Sequence, residues 1–373
     1  MLTDRASGIL LHPTSLPGAY GAGDFGPDAY RFVDWMVSSG LTYWQILPLG
    51  EIGNGNSPYM CMSAFAGNIL LVDLTELLNH GWLGPEDLTT HPDFLPDRVD
   101  FALLRPFRIE RLRRAAKNFF ASDHDDMHRS YTEFCIAESK WLDDYSLFMT
   151  IAEHENWREW SHWPKELVQR EPQALRQFKI NYADEVDFWK FCQWCFARQW
   201  SDLRLYANEC GVKIIGDIPI FVSYQSADVW SHQDLFELDE TGRPTFVAGV
   251  PPDYFSETGQ FWGNPLYRWD IHEKTGYAWW IERLGHALQQ ADLVRIDHFR
   301  GFAAYWKIPA DAPNAIHGKW VAGPGEKLFE TFEKVFPHLP IIAEDLGLIT
   351  PDVIKLRDKL QSAWHAYSSI RLW

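Results

Sequence analysis

Six short apolar runs that close on polar or Gly/Pro punctuation, with helix-length segments between several of them, predict an α/β fold: a (β/α)8 TIM barrel. Polar residues gather at the C-terminal ends of several runs, where a barrel builds its active site. A doubly wound sheet would require a Gly-rich phosphate loop, and none follows any strand. The runs are GILLHPTSLPG from Gly8, LTYWQILPLG from Leu41, NILLVDL from Asn68, VKIIGDIPIF from Val212, ADLVRIDHFRGF from Ala291 and LPIIAEDLGLI from Leu339. PDAYRFVDWMVSSG and GYAWWIERLGHALQQ have the spacing of helices that cover such a sheet. Residues 76–210 carry no strong strand signal, only helical patterns such as LLRPFRIERLRRAAKNFF, and are expected to be a mainly helical insertion. The whole chain, 1–373, reads as one barrel with inserted subdomains, without repeats or low-complexity linkers.

Composition narrows the partners. Lys and Arg total 34 against 51 Asp and Glu, a net charge of −17, which argues against nucleic acid or an anionic membrane. Nineteen Trp and 15% aromatics exceed what an ordinary core requires and suit a cleft where rings stack on sugar faces, although core packing accounts for most single rings. The five cysteines form no disulfide framework. Cys192 and Cys195 make a lone C-x-x-C inside the helical stretch FWKFCQWCFARQW, with no second pair to complete a zinc site. No metal is expected. The N-terminus lacks a basic region followed by an apolar run, and no stretch approaches the ~18 apolar residues of a membrane span, so a cytoplasmic protein is expected.

The sharpest chemical signal is VRIDHFRGF together with IIAEDLG. Alternate strand side chains share a face, so Arg295 and Asp297 point the same way, and a guanidinium beside a carboxylate favours its ionised form. Glu344, followed by Asp345, ends the next run, so neighbouring strands bring two carboxylates together. Two such groups about 5–5.5 Å apart are the equipment for retaining glycosyl transfer. On the residues alone, a structural Arg–Asp pair beside a solvated Glu remains open.

The segments HPTSLPG, GNSPYMCMSAFAGN, IGDIPIFV, GVPPDYFSETGQFWGNPLY, VRIDHFRGF and AEDLG resemble, in order, the signature segments of the amylomaltases, also called 4-α-glucanotransferases, of glycoside hydrolase family 77. The resemblance runs from residue 5 to about 359 and implies a barrel with inserted subdomains that moves segments of maltooligosaccharide to a glucan or to glucose, without a cofactor. It implies Asp297 as nucleophile, Glu344 as acid/base, Arg295 as the residue holding the nucleophile ionised, His298 beside it, and Asp217 facing the same cleft. Two loops read as glucan clamps. One carries Ser57 and Tyr59. The other, within 245–270, holds Pro251, Pro252, Asp253, Tyr254, Phe255, Phe261 and Trp262 and reads as a Pro-rich aromatic lid. An α-glucan hydrolase, or a chain that only binds glucan, is the alternative; nothing in the sequence speaks to oligomeric state.

Family members continue past this terminus with a His-Asp-Asn motif and further strands, so the reading is of a barrel incomplete at its C-terminus, with open edges and impaired activity. QSAWHAYSSIRLW, after Leu360, departs from the family. One codon choice for Ser362 to Trp373, read one base later, encodes Leu-Pro-Gly-Met-Arg-Ile-Leu-Gln-Phe-Ala-Phe, which resembles the family's continuation. A frameshift near Lys359 to Ser362 is therefore expected. Sequencing the coding DNA checks it, and codons incompatible with the shifted reading sink it.

Overall fold

The computed structural model describes residues 5–53, 55–123, 125–254, 256–344, 350–359 and 363–365. Ten strands occur among them: β1 (Gly8–Leu10), β2 (Tyr43–Gln45), β3 (Lys213–Pro219), β4 (Phe246–Val250), β5 (Gln260–Pro265), β6 (Leu293–Asp297), β7 (Ala304–Pro309), β8 (Lys319–Ala322), β9 (Ile341–Glu344) and β10 (Ala363–His365). Six form one parallel sheet in the order β1-β2-β3-β6-β9-β10, and the other four an antiparallel sheet in the order β5-β4-β7-β8. The parallel strands are short and largely apolar because helices cover them; all four residues of β9 are buried.

Helix Pro27–Ser38 crosses from β1 to β2. It starts on Pro27 after Gly26, buries Ala29, Val33 and Met36 on one face, and stops before Gly40, whose φ of 71° no other residue type adopts as cheaply. Helix Ala278–Gln290 leads into β6 and helix Glu326–Val335 into β9 in the same way. Between β2 and β3, residues 76–210 contain helices and no strand among those described, ending in the 27-residue helix Ala183–Glu209. Cys192 and Cys195 are buried within that helix. Among the described residues no group of three or more His, Cys, Asp or Glu could hold a metal ion, and no helix is long and apolar enough to cross a membrane.

Two sequence expectations require correction. NILLVDL is not a strand: Ile69–Leu71 form a 3-10 turn and Leu74–Asn79 a helix. The Asn68 side chain accepts from Leu70 N at 3.0 Å, and Asp73 accepts from Thr75 N at 2.8 Å, so local side chains hold the backbone in turns while Ile69, Leu70 and Leu71 are buried. A short apolar run reports burial, not strand geometry. Nor is 245–270 a loop. Its ends are β4 and β5, paired antiparallel, with the proline-rich stretch as their connection. Gly249 is required there, since a Cβ would stand 2.1 Å from the Gln260 carbonyl oxygen. Core packing takes ten of the nineteen tryptophans, and seven of these, Trp44, Trp82, Trp160, Trp189, Trp194, Trp230 and Trp280, are fully buried.

The helical segment is tied to the loop after β1 by a buried ion pair and to the loop after β2 by a buried hydrogen bond. Arg108, completely buried, donates to Asp24 Oδ2 at 2.7 Å and to the Val72 carbonyl at 2.9 Å. Removing one partner strands the other in a low-dielectric interior. Arg108→Met is expected to lower unfolding free energy by about 3–5 kcal/mol in urea titrations, with Arg108→Met/Asp24→Asn less destabilised than the single variant.

Candidate active site

The C-terminal ends of three neighbouring parallel strands, β3, β6 and β9, converge on one guanidinium. Asp217 of β3 is paired with Arg295 of β6, and Pro219 with Asp297. On the other side of β6, Arg295 faces Ile342 of β9. The Arg295 side chain, 6% exposed, donates through Nη1 to both Asp217 oxygens at 2.8 Å and through Nη2 to Asp297 Oδ1 at 2.7 Å. That same Nη2 stands 3.8 Å from Glu344 Oε1. Asp297 Oδ1 and Glu344 Oε1 therefore cannot lie farther apart than the sum of those two contacts, a bound compatible with the ~5–5.5 Å carboxylate spacing of retaining enzymes.

The two carboxylates differ in environment. Glu344 is 9% exposed and Asp297 30%. Burial, reinforced by the nearby Asp297 charge, raises the Glu344 pKa to about 7, with Arg295 opposing. Asp217 rises to about 6 for the same first reason, burial, against the pull of Arg295. Burial by itself would lower Arg295; Asp217 and Asp297 outweigh it and hold the guanidinium above its usual value.

His298 follows Asp297 with φ 53° and ψ 43°, the left-handed region that a side chain other than Gly adopts only under constraint. That turn directs its backbone N–H at Glu344 Oε2, 2.6 Å away. Its ring is buried, and burial followed by the Arg300 charge lowers its pKa to about 3, so the imidazole stays neutral. Nε2 has no hydrogen-bond partner among the described residues. The half-buried Trp262 of β5 meets this ring edge-on at 4.8 Å.

Tyr59 reaches the cluster from the loop after β2, its phenol donating to Asp217 Oδ2 at 2.8 Å; burial and then the Asp217 charge raise its pKa. Ser57 shapes the same turn, with Oγ accepting from Tyr59 N at 3.3 Å. Pro251 and Asp253 lie instead in the β4–β5 connection, where Asp253 Oδ1 accepts from Ser256 N at 2.9 Å, and Tyr254 there is 97% exposed. Phe255 and Asp345 fall outside the described residues. Sequence reading missed two residues that brace the site. Buried Asp228 anchors the Tyr59 loop by accepting from Ala64 N at 2.7 Å, and buried Asn264 donates to the Val222 carbonyl in the segment after β3 at 2.8 Å. Their contacts span 164 and 42 residues, and no local pattern marks them.

Comparison with known proteins agrees over nearly the whole chain. The 4-alpha-glucanotransferase family matches residues 11–364. The chain is 51% identical to a 4-alpha-glucanotransferase of Thermus thermophilus over 355 residues, covering 95% of this chain and 70% of that protein. It is 46% identical to one from Synechocystis, covering 96% and 72%. Among solved structures, an amylomaltase from Streptococcus agalactiae in complex with acarbose superposes with a TM-score of 0.94 at 40% identity, covering 97% of this chain and 73% of that one. With a parallel sheet whose strand ends gather the carboxylates, and with relatives this close, the chain belongs to the 4-α-glucanotransferases, the amylomaltase family, which transfers α-1,4-glucan segments on a TIM-barrel-like α/β fold.

Proposed function

We propose that Asp297 is the nucleophile and Glu344 the general acid/base of a double displacement on maltooligosaccharides, with glucose or a second glucan as acceptor. The observation that carries this is the shared Arg295 Nη2 contact, which holds both carboxyl groups beside one site. In the first step Asp297 attacks the anomeric carbon while Glu344 protonates the departing glucosidic oxygen, breaking the C–O bond and leaving a glycosyl ester. In the second, Glu344 takes the proton of the acceptor hydroxyl as it displaces Asp297. The raised Glu344 pKa supplies an acid that keeps its proton near neutrality.

In the same proposal Tyr59, Ser57, Asp217, His298 and Trp262 bind the glucan. Trp262, half-buried against the His298 ring, offers a ring to a glucose face, and His298, neutral and buried, holds that ring in place. Pro251 and Asp253 shape the β4–β5 connection that delivers Trp262, and bound glucan beneath it would keep water from the glycosyl ester. The acarbose held by the streptococcal relative supports an oligosaccharide as ligand here. Residues 76–210 act as an insertion, supported by the direct pairing of β2 with β3 on either side of it. A cytoplasmic site of action completes the proposal.

The maltotriose that the chain turns over is expected to become glucose and longer maltooligosaccharides without net gain of reducing ends. A rising reducing-end count would favour hydrolysis instead. Glu344→Gln is expected to slow transfer about 10²–10⁴-fold and Asp297→Asn to remove it. Either variant retaining parental turnover overturns the assignment of that residue. In ¹³C-Glu NMR the resonance lost in Glu344→Gln should titrate with a midpoint near 7 and move down in Asp297→Asn, because the second cause of the raised value has gone. Loss of the acid form above that midpoint makes kcat/KM fall as pH rises through about 7.

A further inference from the structure

Three buried side chains from outside the parallel sheet grip the backbone just past Asp217. Asn264 donates to the Val222 carbonyl at 2.8 Å, and Tyr267 Oη to the Ile220 carbonyl at 2.9 Å. Arg283, in helix Ala278–Gln290, donates through Nη1 to Ile220 O at 3.0 Å and through Nη2 to Pro219 O at 2.5 Å. Arg283 is 2% exposed and lies over the rings of Trp280 and Trp279, 4.8 and 5.4 Å from their centres. Among the described residues it forms no ion pair: its N–H groups go to carbonyls and to Tyr267 Oη, and the buried Asp228 carboxylate acts on it only from a distance. A cation buried without an ion pair is costly, and packing alone does not call for one here.

The peptide it grips is the one that ties β3 to the proposed nucleophile. Pro219 is the register partner of Asp297, and Ile220 N donates to the Asp297 carbonyl at 3.3 Å. Two residues upstream, Asp217 takes both contacts of Arg295 Nη1. A cavity of about 60 Å³, lined by Arg283, Asp217, Pro219 and Tyr59, opens beside this strand end. That flank of the strand end is open, so the carbonyl bonds add to the packing of Ile220 and Phe221 in fixing it.

We infer that Arg283 is a positioning residue for the transfer reaction: by holding the Pro219 and Ile220 carbonyls it sets where Asp217 meets Arg295, and through Arg295 the placement of Asp297 and Glu344. The inference rests on the roles proposed above for those two carboxylates. Loosening the grip lets Asp217 withdraw from Arg295. More of the guanidinium charge then acts on Glu344, which loses its proton at lower pH.

The test uses the full chain carrying Arg283→Met, Arg283→Lys or Tyr267→Phe, each first shown to be folded by circular dichroism. The Glu344 resonance is titrated by ¹³C NMR, and maltotriose disproportionation is followed against pH. Arg283→Met is expected to lower the Glu344 midpoint by about one unit or more. It should also cut kcat on the order of 10²-fold with KM little changed, and move the basic limb of the profile the same way. Tyr267→Phe should give a smaller shift of the same sign, and Arg283→Lys partial recovery. A parental midpoint and parental kcat in folded Arg283→Met overturn the inference. Should that variant not fold, the same result in Tyr267→Phe overturns it. Failure of the underlying mechanism looks different: Glu344→Gln would then keep full turnover, whatever happens at Arg283.

Discussion

The buried guanidinium of Arg295 organises this molecule, because a charge taken that far from water must be met by carboxylates at fixed places. Asp217 takes one edge of the fork, Asp297 takes Nη2, and Glu344 stands next to the same nitrogen. Those three groups arrive on three different strands, so the cluster exists only when β3, β6 and β9 pair in one register. A slip of one residue would turn Arg295 and Asp297 to the opposite face and leave the remaining charges buried alone. The requirement that makes the site also selects the sheet alignment.

Around this centre, backbone strain and remote packing are put to use. His298 holds a left-handed conformation that costs on the order of 1–3 kcal/mol, and in return its N–H is aimed at Glu344 while its ring turns toward Trp262. Trp262 itself is delivered by the antiparallel sheet, not by the barrel strands. The same segment sends Asn264 and Tyr267 back to brace the end of β3. One short stretch of chain, β5 and its continuation, thus both meets His298 beside the carboxylates and braces the end of β3.

Much of the architecture was legible before any coordinates. Apolar runs around Gly8, Leu41, Val212, Ala291 and Leu339 all contain parallel strands, since residues buried on both faces must be apolar and those at the strand mouth need not be. The Asn68 run misled for the same reason: burial writes the same pattern whether the backbone is a strand or a capped turn. The hairpin at 246–265 was hidden because Gly249 carries a loop signal inside a real ladder and Pro251 and Pro252 follow directly after it.

By itself, the sequence determined the fold class, the family and which acidic side chains sit at strand ends, because periodicity and local motifs are properties of neighbouring residues. Only the tertiary structure decided that Arg295 serves three carboxylates, that burial pushes Glu344 up to about 7, and that Arg283 and Tyr267 reach the backbone beside Asp297. These are consequences of distance and solvent exclusion between segments tens of residues apart. Neither quantity exists until the chain has folded.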